Sequence, residues 1–308
     1  MKARELMNFV TETIAEWQED QAARLAAAMA YYTTFSLAPL LVVVIAIAGL
    51  IGGRDAAQSL VMDQVEDLVG TEGREFVTSM IENASSSSTG VIASILGTAT
   101  LLIGALGAFN ELQNALNRIW DVEPKPIKGW GKRVITFIFK RLLSFSMLLG
   151  IGFLLLVALV VSAGLSAINE YLSAIPLFSN LVLQILNLII SLGLITLLFA
   201  LIFKFIPDIE ISWRNVWLGA AITAIFFTIG KQLIGLYLGR SDVGNTFGAA
   251  GSMALIMIWV YYSSQILFLG AEFTQVVAKK TGKQPRPDEH AIEGKRKRQP
   301  STEASARI

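Results

Sequence analysis

Six long apolar runs, at roughly 28–52, 89–109, 142–165, 181–203, 216–238 and 253–277, dominate this 308-residue chain. A bilayer's hydrocarbon core is about 30 Å thick, and a helix needs about 20 apolar residues to cross it. Inside that core every backbone N–H and C=O must find its partner within the protein, which favours helices for segments of this length. Charged residues make up 16% of the chain, against about 25% in soluble domains. Seven of the eight prolines fall between the runs, where a missing N–H costs little; Pro39 alone lies inside one. The fold class is therefore all-α, a polytopic membrane helical bundle with six transmembrane helices.

Lysine and arginine are distributed unevenly around these runs. The N-terminal segment, the 110–141 and 204–215 connections and the C-terminal tail hold 21 of them, and the other three connections hold Arg54, Arg74 and Arg240. The positive-inside rule then puts both termini in the cytoplasm of a multi-pass protein. Residues 1–22 read as an interfacial amphipathic helix, with Leu6, Phe9, Val10, Ile14 and Trp17 on one face and Glu5, Glu12, Glu16 and Glu19 elsewhere. Acidic residues and the lack of a short apolar core distinguish this segment from a signal peptide.

The membrane domain covers 23–278. Its outer 53–88 connection carries seven acidic and two basic residues and reads as two short amphipathic helices broken at Gly70-Thr71-Glu72-Gly73. Residues 279–308 read as a basic cytoplasmic tail without fixed structure, whose KRKR at 295–298 suits anionic headgroups.

The composition also excludes several chemistries. There is no cysteine, and the single histidine, His290, sits in the polar tail, so neither cofactor nor metal is expected. No GxxxxGK[ST] loop is present for ATP-driven work. Asp121, Glu123, Asp208 and Glu210 are scattered, and no histidine outside the tail joins them as a nuclease centre would require. The chain reads as a non-enzyme with no nucleic-acid partner.

Two ionisable residues, Lys231 and Glu272, fall inside the six runs. Such residues are costly in hydrocarbon and normally face protein or water. Tyr261, Gln265, Phe268, Glu272 and Gln275 recur at helical spacing, with Ser264 beside them, so the last helix presents a polar seam. Glu272 falls near its cytoplasmic end, where Arg24 and Glu111 are candidate ion-pair partners. Lys231 lies about 10 Å from the outer end of the fifth run, level with Tyr261 and Gln265, which are its expected contacts. The segment YYTTFSLAPL places Tyr31, Tyr32 and Pro39 in the inner half of the first run. A proline there either kinks the helix or opens it into the discontinuous form found at transport sites.

Three segments are similar to the YihY/BrkB family of bacterial inner-membrane proteins, formerly mislabelled ribonuclease BN. They are RLAAAMAYYTTFSLAPLLVV (24–43), FNELQNALNRIWDVEPKP (109–126) and GSMALIMIWVYYSSQILFLGAEFT (251–274), and the resemblance extends over about 20–280. It implies six spans, cytoplasmic termini, the bacterial plasma (inner) membrane and an association with virulence and envelope lipid handling. Tyr31, Tyr32, Pro39, Tyr262, Gln265, Gly270 and Glu272 match the family pattern, which assigns them no role. The expected function is transport of a lipid or other amphipathic envelope substrate. Its path candidates are Tyr31, Tyr32, Pro39, Lys231, Tyr261, Tyr262, Ser264, Gln265 and Glu272. The alternative is a non-transporting scaffold that docks envelope partners. Membrane lipids are expected partners under both readings, with envelope proteins or a homo-oligomer as further candidates.

Overall fold

The computed structural model describes residues 3–86, 107–125, 180–238, 249–280, 285–289 and 291–294. Helix α1 (Ala3–Glu19) leads into α2 (Ala22–Gly52), and α3 (Arg54–Ser86) follows. Residues 107–119 form α4. They precede strand β1 (Val122–Pro124), α5 (Asn180–Phe205), β2 (Ile209–Glu210), α6 (Trp213–Leu238), α7 (Ala249–Lys280), β3 (Arg286–Pro287) and β4 (Ala291–Glu293).

Four described segments are long and apolar enough to cross a membrane: Ala22–Ala46, Leu188–Phe205, Trp213–Leu236 and Ala250–Lys280. They correspond to the first, fourth, fifth and sixth expected spans. The span at 142–165 lies outside the described residues, as does that at 89–109 except for its last three positions. Pro39 does not interrupt α2, which stays helical from Ala22 to Gly52. The neighbouring hydroxyls bond within their own turns, Thr34 to the Ala30 carbonyl at 2.7 Å and Ser36 to that of Thr33 at 3.2 Å. The discontinuous form considered for this span is therefore absent.

Helix α7 is the hub of the described bundle and packs against α1, α2, α3 and α6, while α5 packs against α6. Its antiparallel contact with α6 rests on a reciprocal pair of small residues. A β-carbon on Gly219 would overlap the Thr274 side chain, and one on Gly270 would overlap Thr223. Each threonine hydroxyl bonds back to the carbonyl four residues earlier at 2.7 Å, so no polar atom is left over where the backbones meet. Small residues at helix contacts permit this close approach where lipid tails supply no hydrophobic drive. On its far side α6 leaves Ile225, Phe226, Ile229, Leu233 and Leu236 exposed, a single stripe suited to lipid.

At the N-terminal end of α7, Ile256 and Val260 pack with Val44, Ile45 and Ala48 of α2 and with Val61, Met62, Val77 and Ile81 of α3. Helix α3 bends at Gly70, whose φ of 80° and ψ of 178° suit glycine alone. Arg74 spans the bend, bonded to Asp63 at 2.8 Å and Glu66 at 2.6 Å.

At the other end, Phe268, Ala271 and Ala278 of α7 join a larger core with Leu116, Ile119, Phe199, Phe203 and Ile206. The tail is tied down here. Strand β4 pairs antiparallel with β1, Val122 opposite Glu293, and β3 pairs with β2, Ile209 opposite Pro287. The expected lack of structure in the tail therefore does not extend to 286–287 or 291–293. Ala291 is buried in the core, and the Gly294 N–H reaches the Asp121 carbonyl at 2.6 Å. The KRKR segment and His290 lie outside the described residues.

Candidate functional site

The polar stripe of α7 changes character along its length. Tyr261 is exposed, Gln265 half-buried and Ser264 buried; Phe268, Glu272 and Gln275 lie in the interior. Gln275 Nε2 donates to the Ile119 carbonyl at the end of α4. Tyr262 and Ile266 fill the space over Gly230 of α6. Lys231 beside it is half-buried and, among the described residues, bonds to neither Tyr261 nor Gln265. Tyr31 and Tyr32 are exposed and stack edge-on with ring centroids 5.5 Å apart, outside the buried part of the seam.

Glu272 is 0% exposed, and its nearest acidic neighbours come from the N-terminal helix. Glu16 and Asp20 stand one turn apart on and just beyond α1. With Glu272 they offer three carboxylate oxygens that all lie within 4.8 Å of one another. Asp20 is 6% exposed. Gln21, in the left-handed region at φ 55°, turns the chain between α1 and α2 and leaves Asp20 facing inward. The outer side of the cluster is closed by α7's last turn, where Lys279 meets Glu16 at 3.1 Å and Lys280 meets Glu12 at 2.6 Å. Lys280 also sits 3.8 Å over the Phe9 ring, and Phe9 approaches Phe273 with centroids 6.4 Å apart.

This corrects the expected partners of Glu272. Among the described residues Arg24 pairs with neither Glu272 nor Glu111. Ala22 and Ala26 turn into the core, and Arg24, between them in sequence, points the other way and is exposed. Glu111 is half-buried on α4, where burial pushes its carboxyl above the ordinary carboxylate value. Glu16 and Asp20 escaped the sequence reading because two acids at i and i+4 on a short polar helix normally mark a solvated face.

A polar knot closes the same end of the bundle. Asp208 accepts from Gln113 at 3.1 Å and from Asn117 at 2.9 Å, while its own N–H donates to Asn117 Oδ1 at 2.8 Å. Beside it an open groove of about 720 Å³ runs along the start of α6. Ser212, Arg214 and Asn215 form its polar rim, and Trp217, Leu218, Ala221 and Val277 its walls. Trp213 and Trp217 are both exposed here, and Lys204 lies 5.8 Å over the Trp213 ring while bonding to the Ile211 carbonyl. Tryptophan with lysine at a helix end is the signature of a membrane–water interface.

These apolar helices, with a polar seam and an interfacial groove, define an integral membrane protein of the helical-bundle class. The Virulence factor BrkB family model matches residues 13–293, and the chain belongs to that family. It is similar to a UPF0761 membrane protein of Mannheimia succiniciproducens, 26% identical over 273 residues that cover 85% of this chain and 86% of the relative. A UPF0761 membrane protein of Glaesserella parasuis is 28% identical over 71% of this chain and 72% of its own. That of Verminephrobacter eiseniae is longer, with 60% of its length covered at 27% identity. No solved structure matches the chain.

Proposed function

We propose that this protein moves a lipid or other amphipathic envelope molecule across the bacterial plasma membrane, by passage and without chemical turnover. The observation that carries this reading is the groove at the start of α6. It joins a rim of Ser212, Arg214 and Asn215 to walls of Trp217, Leu218, Ala221 and Val277, in a volume of about 720 Å³. An anionic headgroup suits the rim and an acyl chain suits the wall, and the size is that of a small-molecule site. The uneven distribution of lysine and arginine supports cytoplasmic termini, so the groove opens toward the inner leaflet. The path continues between α2, α6 and α7, with Glu272 as the gating carboxylate and Lys231 as an anion-facing contact higher up.

The test is movement of a fluorescent acidic phospholipid in proteoliposomes, read by dithionite quenching. The wild-type protein should expose inner-leaflet label well above the rate of protein-free vesicles. Ala221→Trp, which fills the groove, and Arg214→Ala should each slow it about tenfold, the scale of one lost charge-assisted contact. Rates equal to empty vesicles for correctly folded wild-type protein would sink this reading in favour of the scaffold.

A further inference from the structure

We propose that Glu16, Asp20 and Glu272 form a binding site for a hard divalent cation that clamps α1 onto α7. Three features of the cluster point to an ion. The first is spacing. Ligand oxygens sit about 2.0–2.6 Å from Mg²⁺ or Ca²⁺, so oxygens around one ion lie up to about 4–5 Å apart. The three carboxylate oxygens here lie within 4.8 Å of one another.

The second is the state of Glu272. It is fully buried, no N–H, hydroxyl or amide group donates to its carboxyl oxygens, and the one group at hydrogen-bonding range is the Asp20 carboxyl. What faces it is another acid, Asp20, with Glu16 close behind. A buried carboxylate is ordinarily paired, hydrogen-bonded or coordinated to a metal.

The third is charge. Three carboxyl groups converge here, and the Lys279 ammonium meets Glu16 at 3.1 Å on the more open side. A divalent ion between the carboxyls would let all three ionise together. An all-carboxylate donor set, without thiol or imidazole, selects Mg²⁺, Ca²⁺ or Mn²⁺ over zinc or copper. The expectation of no metal rests on the absence of cysteine and the remoteness of His290, which bear on thiol and imidazole ligands and not on an oxygen-only site. Such a site closes only when α1 packs on the last turns of α7, so ion binding and the seating of α1 are one event. The site shares Glu272 with the proposed path, but cation binding is measured without lipid movement.

The experiment uses the full chain, purified in detergent, stripped with chelator and titrated with Mn²⁺ under electron paramagnetic resonance. One Mn²⁺ should bind per chain, be displaced by excess Mg²⁺ or Ca²⁺, and raise the thermal midpoint. Asp20→Asn and Glu272→Gln should each weaken binding at least tenfold. Glu66→Gln, on α3 and outside the cluster, should leave it unchanged. Asp20→Asn serves if the Glu272 variant fails to fold, because Asp20 lies outside the apolar core of α7. Absence of binding at millimolar Mn²⁺, or equal binding by wild type and Asp20→Asn, overturns the site and leaves the carboxylates sharing a proton.

Discussion

At Gly270 and Gly219 the chain uses the absence of a side chain to bring two helices together. Thr223 and Thr274 occupy the space that a β-carbon would need, and their hydroxyls are already committed to their own helices. Gly270→Ala is therefore an overpacking substitution, expected to cost ~1–3 kcal/mol. It should lower the thermal midpoint in detergent, followed by fluorescence-detected size-exclusion chromatography. Adding Thr223→Gly should recover part of the loss by removing the opposing side chain. No recovery would show that Gly270 serves something other than the α6–α7 contact. Gly270 stands out in the sequence only through the family resemblance. Its partner Thr223 could not be read there, because the register of two antiparallel helices is not written in either one.

Among the elements, α1 and α3 depart most from a simple amphipathic reading. The expected apolar face of α1 is split. Phe9 packs toward α7 and Trp17 against the core, while Val10 and Ile14 stay exposed with Met7. The buried side instead carries Thr13, Glu16 and Asp20, since α7 meets α1 with two lysines at its last turn. In α3 the expected break falls at Gly70, and of the expected apolar positions Leu60 is exposed while Val61, Val77 and Ile81 are buried. Gly70→Ala should destabilise the bent element by ~1–3 kcal/mol, the usual cost of a disallowed backbone angle. Hydrogen exchange should rise over 74–82, with Thr71→Ala as an exposed control near the wild-type value. Equal exchange in the two variants would mean that the bend is free to relax.

At the scale of the whole molecule, segments far apart in sequence are knitted at one end. Strands β1 and β2 receive β4 and β3, Asp208 holds Gln113 and Asn117, and Lys125 Nζ donates to the Glu289 carbonyl. Each backbone bond is worth about 1 kcal/mol net. Ending the chain after 284 should therefore lower the thermal midpoint by several degrees and expose 121–125 and 206–212 to protease. Ending it after 294 removes KRKR and should leave both unchanged. A chain ending at 284 that melts and resists protease like the full one would reduce these pairings to incidental contacts.

The sequence alone was enough for the helical membrane class, for the four described segments able to cross a membrane and for a break of α3 within 70–73, which the structure places at Gly70. These follow from run length, hydropathy and single-residue backbone freedom, which are local properties. It also placed Glu272 on a polar stripe. Tertiary structure decided what that stripe faces. Asp20 and Glu16, the Gly–Thr register, the groove beside Arg214 and the docking of 286–293 depend on elements distant in sequence packing together. Residue spacing within one helix carries no record of the helix that packs against it.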